Sequence, residues 1–220
     1  MCRAGVNKII FSSSAAVYGE PQYLPLDENH PTEPVNYYGF TKLEIERILK
    51  WYSQLKGIRF AALRYFNAVG YDHEGELRGL EKNPQNLLPI VMEAISGKRE
   101  KLQVFGDDYP TDDGTCIRDY IHVDDLSSAH AKALDYLTEK NKDLVVNLAT
   151  GQGLSVKDII TEAKKQSGVD FTVEIVARRP GDPAKLYAGN ALAKELLDWQ
   201  PQYSGLETIV STTLRAYGLK

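Results

Sequence analysis

The order of patterns in the first seventy residues restricts this chain to a fold built on a parallel sheet. An apolar run, Lys8-Ile9-Ile10-Phe11, closes on the serine triplet Ser12-Ser13-Ser14 and reads as a strand. Ile45, Ile48, Leu49, Tyr52 and Leu55 then recur at helical spacing, Gly57 stops that helix, and Ile58 to Phe66 is strand-like again. Two strands joined through a helix cannot close as a hairpin; the crossover returns the chain in the same direction and gives a βαβ unit. Ahead of it, Met1 to Val6 reads as the last turn of a helix with Gly5 as its C-terminal stop. A chain that opens on a helix end is expected to continue something upstream.

A polar, glycine-bearing stretch from Tyr71 to Asn86 breaks the pattern and marks a boundary between domains. Beyond it we expect a helix around Leu87 to Ser96, a strand Leu102 to Phe105, a loop rich in Asp and Gly from Gly106 to Gly114, and a strand near Ile117 to Val123. Asp124 or Asp125 is positioned to cap a helix whose stripe is Leu126, Ala129, Ala133, Leu134 and Leu137. Val145 to Leu148 reads as a strand, and Ser155-Val156-Lys157-Asp158 is an acidic variant of a capping box opening a helix that Gly168 ends. Phe171 to Ala177 reads as a strand, and two final helices surround Leu196 and Leu214.

Composition narrows the function classes. A net charge of -4 without a basic tract speaks against nucleic acid as a partner. No apolar run approaches the ~20 residues that span a bilayer. Only Cys2 and Cys116 occur, too few for a disulfide framework, and the four histidines show no ligand spacing such as H-E-x-x-H, so no metal site is expected. A cytoplasmic location is expected.

The chemistry-bearing constellation lies within the βαβ unit. Tyr38 and Lys42 are four residues apart, hence on one helix face, and they follow Ser14 by 24 residues and more. A cation beside a phenol favours the phenolate and prepares its oxygen for general-base work, while a serine at the strand end can hydrogen-bond the same substrate hydroxyl. Tyr-x-x-x-Lys alone is common on exposed helix faces; its position after a strand-end serine triplet is what makes it informative.

Six blocks occur in order: Ser12-Ser13-Ser14-Ala15-Ala16-Val17-Tyr18-Gly19, Tyr38-x-x-x-Lys42, Arg64-Tyr65-Phe66-Asn67, Asp107 to Gly114, Ile117-Arg118-Asp119-Tyr120-Ile121-His122-Val123, and Arg178-Arg179-Pro180-Gly181-Asp182. Together they closely resemble the UDP-glucose 4-epimerases of the extended short-chain dehydrogenase/reductase group. The resemblance implies an α/β fold, the C-terminal part of a Rossmann-type parallel sheet plus a smaller mixed α/β substrate-binding domain. Residues 1–70, with later segments returning, would be a remnant of the NAD-binding domain, and 71–220 mainly a UDP-sugar-binding region. It further implies NAD as cofactor and a UDP-hexose as substrate. Catalysis would fall to Tyr38, Ser14 and Lys42, with Ser14, Tyr38, Lys42 and Phe66 against the cofactor. Substrate contacts would come from Asn67, Asn86, Leu87, Gln103, Phe105, Arg118, Arg179 and Asp182, and Leu186 would occupy the gate facing the sugar's 2-substituent. A homodimer is expected for the complete protein.

Members of that family begin with a glycine-rich strand-to-helix turn that holds the NAD pyrophosphate. The sequence has no G-x-x-G-x-x-G turn. At about 30 residues for each missing βαβ-type unit, roughly 100 residues are expected upstream. Without them the chain is expected to be poorly soluble and inactive. Tyr37 stands where a proline is common in the family, and Leu186 is intermediate between the large gate residue that restricts the site to glucose and galactose and the small one that admits N-acetylhexosamines. Three alternatives stay open: an N-acetylhexosamine epimerase, a sister 4,6-dehydratase or decarboxylase, and a non-catalytic nucleotide-sugar-binding module. Dehydratases follow the strand with a Thr-Asp-Glu set, which Ser12-Ser13-Ser14 lacks.

Overall fold

The computed structural model describes residues 1–77 and 79–219. In chain order its elements are β1 (Lys8–Ser14), α1 (Tyr37–Lys56), β2 (Arg59–Tyr65), β3 (Asn67–Val69), α2 (Leu87–Ile95), β4 (Leu102–Phe105), β5 (Ile117–Arg118), β6 (Tyr120–His122), α3 (Val123–Glu139), β7 (Leu144–Leu148), β8 (Leu154–Ser155), α4 (Val156–Ser167), β9 (Val173–Val176), β10 (Lys185–Leu186), α5 (Ala191–Leu197) and α6 (Leu206–Ala216). They fall into two compact units. One comprises Met1–Phe66, Asp125–Gln152 and Tyr187–Pro201; the other comprises Asn67–Asp124, Gly153–Leu186 and Gln202–Lys220.

The first unit is organised by a parallel sheet in the order β1-β2-β7. Ser13 lies opposite Arg64, and Arg64 opposite Asn147. This is the expected βαβ unit, but α1 turns a different face inward: Leu43, Glu46, Leu49 and Ser53 are buried, while Ile45, Ile48, Tyr52 and Leu55 of the stripe read from the sequence are exposed. The Asn36 side chain caps α1 by accepting from the Gly39 N–H at 2.8 Å, and Gly57 ends it in the left-handed region at φ 68°. Gly39 answers a close approach: a Cβ there would lie 2.2 Å from the carbonyl oxygen of Ala16. Leu49, Ile58, Phe60 and Ala62 form a small core with Ile9, Phe11 and Val145 against it.

The second unit has a core of its own. Leu88, Val91, Met92, Ile159, Ile209, Val210 and Leu214 from α2, α4 and α6 bury against Leu102, Val104 and Tyr120. The capping box of α4 is formed as expected, with the Ser155 Oγ accepting from the Asp158 N–H at 3.0 Å and the Asp158 carboxylate accepting from the Ser155 N–H at 2.8 Å.

Three further expectations need correction. The strand near Ile117 to Val123 is two strands, because β5 pairs with β8 and β10 while β6 pairs with β3. The buried Asp119 is the joint, donating its N–H to Leu186 and accepting at its carbonyl from the backbone and side chain of Asn67. Neither Asp124 nor Asp125 caps α3, which starts at Val123; the Nδ1 of buried His122 accepts from the Asp124 N–H at 3.2 Å and takes that role. The strand expected over Phe171 to Ala177 is confined to Val173–Val176, with Phe171 turned into the core.

Candidate active site and nucleotide-sugar cavity

In the first unit, Ser14 ends β1 and its Oγ accepts from the Ala16 N–H at 3.2 Å, which leaves its own O–H free to donate. Tyr38 stands in the first turn of α1 and is 55% exposed. Its hydroxyl has no hydrogen-bond partner among the described residues. One turn on, the Lys42 Nζ donates to the Ser12 carbonyl at 2.9 Å and lies 5.4 Å from the Tyr38 ring centroid and 5.1 Å from that of Phe11. The lysine is thus tied to the serine strand while its charge stays beside the phenol. Phe66, half-buried, directly follows β2.

The second unit holds a cavity of about 230 Å³. Asn67, Asn86, Leu87, Gln103, Phe105, Arg118, Arg179 and Asp182 all line it. Leu186 is not among the lining residues; it lies opposite Arg118 in the β5–β10 pair. The Asn86 side chain makes no cap bond to α2 and so remains available to the cavity. One Arg118 N–H donates to the Ile117 carbonyl at 2.8 Å, and another meets the Asp182 carboxylate at 2.6 Å. The Arg179 guanidinium stacks 3.8 Å from the Phe105 centroid. Gln103 donates to Glu174 at 3.1 Å.

Two guanidiniums, an aromatic ring and several amide-bearing side chains suit an anion joined to a planar heterocycle. Cys116 and Tyr120 also line the cavity, and burial raises both the thiol and the phenol above their ordinary values. Sequence reasoning missed both, although Tyr120 two residues after Arg118 carries the alternation of extended chain that would have found it. Two larger grooves, about 620 Å³ around His73 and Arg215 and about 840 Å³ around Ile48 and Tyr52, contain none of the expected site residues. Asp72, His73 and Asp124 bring three potential metal-ligand atoms within 4.8 Å, but His73 and Asp124 are bonded to each other at 2.9 Å and Asp72 accepts from the backbone of its own loop.

The parallel sheet with its crossover helix places the chain in the Rossmann-like α/β class. A family model described as GDP-mannose 4,6 dehydratase matches residues 1–213, and the chain belongs to that family. Over 96% of its length the chain is 46% identical to a UDP-glucose 4-epimerase from Halalkalibacterium halodurans, and it spans 63% of that protein. The crystal structure of UDP-glucose 4-epimerase from Brucella ovis in complex with NAD matches all of this chain at a TM-score of 0.96 and 45% identity, with 67% of that chain covered. The Bifidobacterium longum UDP-glucose 4-epimerase in complex with NAD+ and UDP matches 98% of this chain at a TM-score of 0.90 and 39% identity, with 65% of that chain covered.

Proposed function

We propose that the whole protein interconverts UDP-glucose and UDP-galactose by transient oxidation at C4 with bound NAD. The observation that carries this reading is convergence. Eight side chains that a UDP-sugar site of this kind needs, scattered from Asn67 to Asp182, line one cavity. Arg118 and Arg179 would grip the diphosphate with Asn67 beside it, Asn86 and Leu87 would border the substrate, Gln103 and Phe105 would lie beside the uracil, and Asp182 would accept from a ribose hydroxyl. Arg118 keeps further N–H groups beyond those on Ile117 and Asp182, so it can take a phosphate oxygen without abandoning its partner.

The residues present fit the nicotinamide end of NAD. Lys42 is held at the serine strand beside Tyr38, whose hydroxyl has no partner among the described residues, and Phe66 follows the neighbouring strand. A glycine turn for the pyrophosphate is not in this sequence. What bound NAD supplies is a reversible hydride acceptor for C4. The Tyr38 oxygen takes the proton from the 4-hydroxyl and returns it at the end of the cycle, Ser14 donates a hydrogen bond to the same sugar oxygen, and Lys42 provides the nearby positive charge that a phenolate base requires. Leu186 would set tolerance for a larger 2-substituent. Operation in galactose metabolism, in the cytoplasm and as a homodimer completes the reading; for the last, α1 offers exposed Ile48, Trp51 and Leu55 to a second copy.

A coupled assay on the purified whole protein, following UDP-glucose formed from UDP-galactose, tests the proposal. Conversion without added reductant is expected. A protein of normal NAD content that gives none overturns it.

A further inference from the structure

A continuous row of buried polar side chains crosses the sheet of the first unit. Ser13, Arg64 and Asn147 are successive cross-strand neighbours on β1, β2 and β7. Such neighbours project to the same face. On that face they meet Glu46 of α1 and Tyr18, and all five residues are between 0 and 7% exposed. One Glu46 carboxylate oxygen accepts from the Ser13 hydroxyl at 2.5 Å and from the Arg64 Nε at 2.9 Å; the other accepts from the Arg64 Nη2 at 2.5 Å. The remaining Arg64 Nη1 donates to the Tyr18 oxygen at 3.1 Å, and the Tyr18 hydroxyl donates to the Asn147 Oδ1 at 2.6 Å. Burial alone would lower the Arg64 pKa, but the fork to Glu46 and the contact with Tyr18 reverse this and hold it above its ordinary value.

Stability does not account for such a pair, since a buried ion pair is worth about as much as a well-packed apolar pair of similar volume. Geometry does. Glu46 lies four residues beyond Lys42 and eight beyond Tyr38, on the same face of α1. The apolar contacts of Leu43 and Leu49 are non-directional and tolerate rotation or sliding. A forked carboxylate–guanidinium pair does not. Slipping α1 by one residue would turn Glu46 by about 100° and strand two charges in the interior.

We propose that Glu46 and Arg64 are positioning residues. Their fork fixes the rotation and axial register of α1 on the sheet, and so sets where Tyr38 and Lys42 stand relative to Ser14 at the end of β1. This rests on the reading of Tyr38 as the base. Neither residue meets substrate.

The test uses the whole protein in two variants. In Glu46→Leu/Arg64→Met both charges go together and packing volume is kept; in Arg64→Lys the charge stays but the fork is lost. Both are measured for urea midpoint, kcat and KM, and by NMR of ¹³Cζ-labelled tyrosine, with the Tyr38 resonance assigned from Tyr38→Phe. We expect the double variant to fold with kcat down roughly 10- to 100-fold and KM within about threefold, and its Tyr38 resonance to broaden or split as α1 samples other registers. Arg64→Lys should lose kcat in the same direction by a smaller factor. Wild-type kcat with a single unshifted Tyr38 resonance in either folded variant overturns the proposal. So does a loss of kcat that only tracks the fraction unfolded. A wild-type protein without UDP-hexose turnover would sink the proposed reaction instead, and the Tyr38 resonance would still decide the positioning role.

Discussion

The polar interior of the first unit and the charged cavity of the second use the same residue types to opposite ends. Arg64 is buried, with each of its charged contacts met by Glu46 and Tyr18. Arg118 is buried too, but its partner is not: the side chains of Arg118 and Asp182 are 11% and 32% exposed. Arg179 is exposed and has the Phe105 ring under it. Charges taken wholly out of water must be matched within the protein, which makes them rigid and leaves nothing for a ligand. Charges at a cavity wall keep part of their hydration and part of their hydrogen-bonding capacity, and can exchange both for a phosphate.

The comparison can be broken most easily through stability. Arg64→Met alone leaves Glu46 buried without its cation and should cost about 3–5 kcal/mol, read as a lowered urea midpoint at unchanged slope. Arg118→Met leaves behind Asp182, whose side chain is 32% exposed, and should cost less, about 1–2 kcal/mol. Equal costs would mean that the two arginines are not different in kind.

Next in size is the chemistry. If Tyr38 is the base as proposed, Tyr38→Phe removes it and keeps the ring, so turnover should fall on the order of 10²-fold or more with KM little changed. Near-normal turnover would move the base elsewhere.

Calorimetric titration with UDP sharpens the comparison from the ligand side. Arg118→Met should weaken UDP roughly 10- to 100-fold, the worth of hydrogen bonds to a charged group, while Glu46→Leu/Arg64→Met should leave UDP affinity unchanged. A reversed pattern would put the diphosphate grip in the wrong unit.

The smallest effect is a pH dependence within the second unit. Burial raises the Asp113 carboxyl, but hydrogen bonds from Ser155 and Thr115 and the charge of Lys157 outweigh it and hold the group below the ordinary carboxylate range. Its contribution is therefore present above the unfolded carboxylate pKa near 4 and is lost as pH falls through the lower folded value. Asp113→Asn should flatten that acid limb and cost about 1 kcal/mol near neutrality, read as urea midpoints between pH 3 and 7 (roughly the span of that titration). An unchanged acid limb would show that Asp113 does not carry it.

What was legible in the sequence follows the same division. The βαβ order, the Gly57 stop and the Ser155–Asp158 box were readable because each is a local rule written in adjacent residues. The cavity residues were readable through ordered motifs, although nothing local says that Asn67, Phe105 and Arg179 meet. Glu46 and Arg64 were not readable as a pair, since a charged residue on a helix reads as solvated until the opposite strand is known to present its counter-charge. Nor was the break at Asp119, because strand partners are chosen by tertiary pairing and a single Asp within the run Ile117 to Val123 does not by itself announce a change of partner. Asp124 resembled a cap by position and lost that role to His122, whose ring acts from the strand side.

The central claim is that C4 of a UDP-hexose is oxidised and reduced again within one catalytic cycle. The most direct measurement is to incubate the whole protein with UDP-galactose carrying deuterium at C4, in ordinary water, and to read the product by mass spectrometry and proton NMR. The account predicts UDP-glucose that keeps the deuterium at C4, since bound NAD would supply a hydride acceptor that does not exchange with solvent. Deuterium lost from the product, or a dehydrated sugar in place of UDP-glucose, would contradict it.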